Sequence, residues 1–212
     1  MTTLIIARHG NTFNPEDTPT RVGARTDLPL VDKGERQAEA LGFYLQEHKL
    51  FPDVVYSSTL QRTRDTAKIA LKTAGIKNPV YALNIFDEID YGPDENKPEA
   101  DVIARIGEEA IENWEKHGTV PPGWDANSET IIENWKNFAA DICKTHDTIS
   151  NQVLEISETV LVVTSNGIAR FAPHITGDFD GFAQNHQIKL STGALGILSS
   201  DVESWSDKDW NI

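Results

Sequence analysis

Apolar residues along this chain fall into short runs and helical stripes, and their order lays out a scaffold. Leu4-Ile5-Ile6-Ala7 is a continuous apolar run closed by Gly10, the pattern of a strand buried over residues 3–8. Residues 11–31 are polar and carry Pro15, Pro19 and Pro29. A connection this long inside a compact domain is usually functional or mobile. From Asp32 the apolar spacing changes to three and four. Ala38, Leu41, Gly42 and Leu45 then share one helix face, with Asp32 as N-cap and Glu35 completing a capping-box pattern. Asp53-Val54-Val55-Tyr56-Ser57 predicts a second strand, and Leu60 to Ala74 the next helix. Strand, loop, helix, strand, helix favours a parallel sheet with helices packed on it.

Residues 93–128 are polar and acidic, punctuated by Pro93, Pro98, Pro121, Pro122 and Gly123. They predict one helix over 99–116, with Val102, Ile103, Ile106, Ala110 and Trp114 on its inner face. The stretch reads as a cap insertion above a site, within a single domain spanning residues 1–212. A long helix is expected from Ser128 to about Cys143, with Trp135 and Phe138 as packing residues. Thr159–Thr164 is the strongest strand in the chain. Gln187–Leu190 and Ala194–Leu198 read as a closing hairpin around residues 191–193. The expected fold class is α/β: a three-layer α/β/α sandwich with a mainly parallel central sheet.

The net charge of −14 argues against nucleic acid or an anionic membrane as partner. That charge is uneven. Residues 1–77 hold 11 Lys/Arg and 9 Asp/Glu, whereas residues 78–212 hold 8 and 24. Attraction for an anionic substrate therefore lies in the first third, where Arg8, Arg21, Arg25, Arg62 and Arg64 are found. No apolar run approaches the roughly 18 residues of a membrane span. No secretory signal is seen, and the lone cysteine, Cys143, excludes an intramolecular disulfide. A reducing, cytoplasmic location is the expectation.

Candidate chemistry begins at the end of the first strand. In open α/β sheets ligands bind at such strand ends. Arg8, His9 and Gly10 stand there together: a rigid fork for phosphate oxygens, a nucleophilic imidazole, and a backbone that can approach an anion closely. The combination suggests phosphoryl transfer through a phosphohistidine. Arg62 falls at the beginning of a helix, where free N–H groups already favour anions, and could join Arg8 around one phosphate. Arg21 or Arg25 could reach back to the same anion. No Cys/His cluster has zinc spacing.

Arg8-His9-Gly10-Asn11-Thr12, Arg21-Val22-Gly23, Asp27 to Ala38 and Ser58 to Ala67 match, in order and spacing, the pattern of a known family. The chain resembles the histidine phosphatase superfamily, also called phosphoglycerate-mutase-like, across roughly residues 3–92. The resemblance implies metal-independent hydrolysis of a small phosphorylated substrate, with no cofactor. It makes His9 the nucleophile, Arg8 and Arg62 the phosphate clamps, and Glu88 the proton donor and acceptor. A leaving alkoxide needs a proton, and the water attacking a phosphohistidine must lose one. Asp87 and Asp90 flank Glu88, and like charge there would push some carboxyl pKa values upward. Arg21, Thr12 and Asn14 are expected to add to the cradle.

The family strand end Ser-His-Gly-Gly meets a departure here. Counting back from Arg170 puts Ser165 where the second catalytic histidine belongs and Asn166 in place of a glycine. Both are expected to donate to the phosphate, in neutral form. His174 and His186 lie close by in sequence, with a surface or loop role expected for each. Mutases of the family carry arginine after the acid, where Ile89 stands here. A phosphatase is therefore preferred over a mutase-type phosphotransferase, and a weakened phosphate-ligand binder is the third reading.

Overall fold

The computed structural model describes residues 1–144, 158–201 and 204–212. Among these residues six strands form one sheet: β1 (Thr2–Arg8), β2 (Val54–Ser57), β3 (Val80–Ala82), β4 (Glu158–Thr164), β5 (Leu195–Ser200) and β6 (Trp205–Trp210). Their order is β3-β2-β4-β1-β5-β6. The first four run parallel, and β5 and β6 add an antiparallel edge. This is the expected α/β sandwich with a mostly parallel sheet.

Alternation along β1 explains the layers. Leu4 and Ile6 enter one core cluster with Phe86, Trp114, Trp135 and Phe138, while Ile5 and Ala7 enter another with Leu41, Leu45, Ala67 and Leu71. Successive strand side chains point to opposite faces, so a run apolar at every position is what a sheet covered on both sides requires. Helices α1 (Asp32–Glu47) and α2 (Gln61–Ala74) cover one face. Helices α3 (Glu99–Ile106), α4 (Glu108–His117) and α5 (Ser128–Lys144) lie on the other side, with the short α6 (Asn166–Ala169) and α7 (Phe179–Asn185). No helix among the described residues is long and apolar enough to cross a membrane.

Three expectations need correction. Asp32 is the first helical residue rather than the cap. Val31 holds the N-cap position with no side-chain hydrogen bond, and Glu35 N–H bonds its carbonyl. The helix expected over 99–116 is two helices, broken at Gly107, whose φ of 84° no right-handed helix contains. Residues 187–190 form no strand, because the Leu190 N–H and carbonyl are bonded to the Asn166 and Arg8 side chains. The hairpin partner of β5 is instead the acidic tail, where Trp210 is buried over Gly196 and the charged residues between face solvent on an edge strand. The three-residue β3, half-exposed and without a clear period, was not expected either.

Gly42 sits where α1 crosses α2. A Cβ there would lie 2.4 Å from the Ala70 carbonyl oxygen. Helix propensity alone favours Gly42→Ala by about 1 kcal/mol, and overpacking costs about 1–3 kcal/mol. The clash is with backbone, so packing wins. Urea unfolding should show Gly42→Ala less stable than the parent by about 1–2 kcal/mol.

Candidate active site

Three neighbouring parallel strands, β2, β4 and β1, end on one side of the sheet, and their loops carry the site. β1 delivers Arg8 and His9, the β2 end leads through Ser58 into Arg62 on α2, and the β4 end delivers Ser165 and Asn166. Gly10 N–H bonds Thr66 Oγ1 of α2 at 3.1 Å, tying the first loop to the second. A Cβ on Gly10 would meet the Gly34 carbonyl oxygen at 2.3 Å, so glycine is needed for this approach.

His9 is only 8% exposed. Its Nδ1 lies 2.7 Å from the Gly10 carbonyl oxygen, which can only accept, so Nδ1 carries the proton. Nε2 then bears the lone pair and accepts from Arg62 Nε at 3.2 Å. Burial, followed by the fields of Arg62 and Arg8, holds the imidazole pKa well below its ordinary value. His9 is thus a neutral base with one defined tautomer.

Arg62 is fully buried. Besides His9 it donates to the Thr26 carbonyl at 2.9 Å, to the Val22 and Gly23 carbonyls, and to Ser165 Oγ at 3.4 Å. The long 11–31 connection therefore serves to supply carbonyls that hold this guanidinium. Arg8 donates to the Leu190 carbonyl at 2.8 Å, and its Nε is buried without a hydrogen-bond partner. Burial lowers the pKa of both guanidinium groups, against the opposing field of Glu88.

Glu88 closes the far side of a cavity of about 560 Å³ lined also by Arg8, His9, Thr12, Arg21 and Asn166. Its carboxylate accepts from Ile89 N–H at 2.9 Å and Gly167 N–H at 3.1 Å. A Cβ on Gly167 would stand 2.1 Å from Glu88 Oε1, so glycine at 167 makes room for the acid. The flanking carboxylates do not share its site. Asp87 accepts from the Thr59 N–H and hydroxyl, and Asp90 pairs with Arg25 at 2.8 Å.

Other sequence candidates separate into those that face the cavity and those that do not. Thr12, Arg21 and Asn166 face it. Asn14 is exposed and hydrogen-bonded to Asp17, away from the cavity. Ser165 is fully buried behind Arg62 and is not part of the lining. His174 stacks on Phe179 at 3.8 Å and His186 pairs with Asp207 at 3.1 Å, so neither supplies an imidazole to His9. Residues 93–128 form part of the wall, through Glu99, Trp114 and Glu115. Sequence reasoning missed Glu99, Glu115 and Lys189, whose only signal was charge at positions without a motif. Among the described residues no group of His, Cys, Asp or Glu could hold a metal ion.

A sequence model of the histidine phosphatase superfamily (branch 1) matches residues 4–212. A 2,3-bisphosphoglycerate-dependent phosphoglycerate mutase of Clavibacter sepedonicus is 35% identical, with 95% of this chain and 86% of the relative covered. Among solved structures, a mycobacterial glucosyl-3-phosphoglycerate phosphatase superposes with a TM-score of 0.75 at 19% identity, covering 99% of this chain and 98% of that one. The alpha-ribazole phosphatase of Shigella flexneri gives 0.72 at 18%, covering 99% and 96%.

Burying a neutral histidine couples the site to stability. His9 has a folded pKa depressed well below 6.5, so the unfolded chain takes up a proton that the folded chain refuses. Stability is therefore lost as pH falls below about 6.5. His174, pushed down to about 4 by burial and Lys136, adds to the loss over the same window. Calorimetry should show the unfolding midpoint falling between pH 7 and pH 5, with a shallower fall in His174→Phe.

Proposed function

The chain belongs to the histidine phosphatase superfamily, and we propose that within it this protein is a metal-independent phosphomonoester hydrolase working through a phosphohistidine on His9. The observation that carries this reading is the His9 tautomer: Nδ1–H anchored on the Gly10 carbonyl, and the Nε2 lone pair beside two buried guanidinium groups, with Glu88 on the same cavity wall.

A phosphate entering the cavity meets Arg8 Nε, which has no partner, and draws Arg62 Nε from His9 Nε2 onto a phosphoryl oxygen. The freed lone pair attacks phosphorus in line, and the phosphorus–oxygen bond to the leaving group breaks. Glu88, entering this step protonated, gives its proton to the departing oxygen. Back in its carboxylate form it takes a proton from water, which attacks phosphorus and returns the bonding pair to Nε2. The arginines stabilise the equatorial charge.

Asn166 supplies the donor that the family's second histidine would give. Its Oδ1 accepts from Leu190 N–H at 3.0 Å, which commits the oxygen and leaves the NH₂ group for the cavity that Asn166 lines. Ser165 instead positions Arg62 from behind. The phosphoglycerate mutase relative supports a mutase as second reading. Against it, Ile89 is buried in the core beside Glu88, where the mutase pattern has arginine.

Two measurements test the proposal. Wild type should release phosphate from an aryl phosphate in buffer with a chelator, and His9→Ala should not. Equal release by both would remove His9 from the reaction, and phosphate transfer between phosphoglycerates without net release would establish the mutase. Asn166→Ala should lower kcat by roughly 100- to 1,000-fold, the cost of one preorganised donor, while Ser165→Ala lowers it by less than about tenfold. The reverse order would return the donor role to Ser165.

A further inference from the structure

Backbone carbonyls of Val22, Gly23 and Thr26 hold the Arg62 guanidinium, and residues 22–26 belong to no helix or strand. Such a segment has to fix its backbone through other bonds. Here the segment that follows Glu88 provides them. The Val22 carbonyl faces Arg62, and the N–H of the same peptide group, on Gly23, donates to Glu95 Oε1 at 3.0 Å. The Gly23 carbonyl also faces Arg62, and the N–H of that peptide group, on Ala24, donates to the Ile89 carbonyl at 3.0 Å. Thr26 gives its carbonyl to Arg62, and its hydroxyl donates to Glu95 Oε1 at 2.8 Å.

Glu95 is the centre of this arrangement. Its Oε1 accepts from Arg25 N–H at 3.2 Å as well, and its Oε2 accepts from Tyr91 N–H at 3.2 Å. Gly23 must lack a side chain for the carboxylate to come in, since a Cβ there would run into the Glu95 carboxylate and the Ile89 carbonyl. Beyond Glu95 the two segments are bonded again, Asn96 N–H to the Arg21 carbonyl at 2.7 Å and Arg21 N–H to the Lys97 carbonyl at 2.9 Å. A hydrogen bond to an ionised carboxylate is roughly twice as strong as one between neutral groups. Water could satisfy the same donors one at a time, but it could not set their mutual positions. Burial disfavours the Arg62 charge, and Glu95 adds its field to those of Glu88 and Asp27 in opposing that effect.

We propose that Glu95 is a positioning residue for the phosphate clamp: it fixes residues 23–26 so that their carbonyls aim Arg62 into the cavity, and it ties this cradle to the segment that carries Glu88. Clamp and acid are thereby set as one unit. The part Glu95 plays in turnover rests on the phosphatase reading; its hold on Arg62 does not. Glu95 is half-buried, does not line the cavity and touches no reacting atom, so it acts only through the residues it holds.

The test is a double-mutant cycle, read on calorimetric binding of inorganic phosphate and on kcat/KM for an aryl phosphate. Glu95→Ala should weaken phosphate binding about tenfold and lower kcat/KM by about 10- to 100-fold, the range for a slightly misplaced clamp. Added to Arg62→Ala, the same substitution should change either quantity by less than about twofold, because the residue it acts through is gone. A merely structural role would cost the same in both backgrounds. Thr26→Val answers the question with Arg62 intact, in case Arg62→Ala does not fold. It removes one donor to Glu95 while keeping the carbonyl, and should weaken phosphate binding by about threefold alone and not at all on top of Glu95→Ala. Unchanged phosphate binding in Glu95→Ala, or losses that simply add in either cycle, overturn the role. Coupled losses in phosphate binding with no phosphate release by wild type would sink the phosphatase reading and leave the hold of Glu95 on Arg62 standing.

Discussion

The hydrogen bond from His9 Nδ1–H to the Gly10 carbonyl decides what this site can do. It fixes the tautomer, and with it the atom that holds the lone pair. Everything nearby either enforces that state or exploits it. Burial and two arginines keep the ring neutral, because an imidazolium would have to sit desolvated beside two cations. Gly10 packs directly on the Gly34 backbone, and a side chain at Gly34 would in turn run into the Asn11 backbone, so the loop after β1 comes this close to α1 only through two glycines. The apolar β1 run places all of this at a strand end inside a fully covered sheet, where a mobile ring would lose its alignment.

Charge balance around the site follows from the same burial. Arg8, Arg21, Arg62 and Lys189 surround it, with Arg170 buried behind Trp114, and Glu88, Glu99 and Glu115 answer them. Arg62 is stabilised differently, by backbone carbonyls of the 11–31 connection. Carbonyl dipoles offset a buried cation without cancelling its charge. Arg62 therefore keeps its full attraction for phosphate, whereas the charge of Lys189 is already answered by Glu115.

Much of the fold was legible in the chain. Strands β1, β2 and β4 are short apolar runs, and α1, α2 and α5 have regular apolar stripes, so burial wrote both periods plainly. The site was legible where chemistry demands fixed spacing: Arg8, His9, Arg62 and Glu88 meet as the motifs imply. What could not be read is long-range pairing. β6 is charged along its length and gains its place from Trp210 over Gly196. The 187–190 stretch has strand composition, but two side-chain bonds claim its backbone. Glu115 and Lys189 lie 74 residues apart and meet only through the fold.

Ser165 and Asn166 are best understood as one change. A histidine at 165 would stand against Arg62 with a ring in place of a hydroxyl, in a position with no exposed surface at all. Serine there is small and accepts from the guanidinium, so Arg62 keeps its carbonyl cradle. In the proposed reading the donor moves one residue on, to a carboxamide whose oxygen is already claimed by Leu190 N–H. A neutral amide polarises a phosphoryl oxygen less than an imidazolium does, but it never titrates between pH 4 and pH 9. With His9 held neutral by burial as well, positive charge for the phosphate is left to the arginines. In that reading the protein trades electrostatic strength at one donor for a hydrogen bond that does not depend on pH.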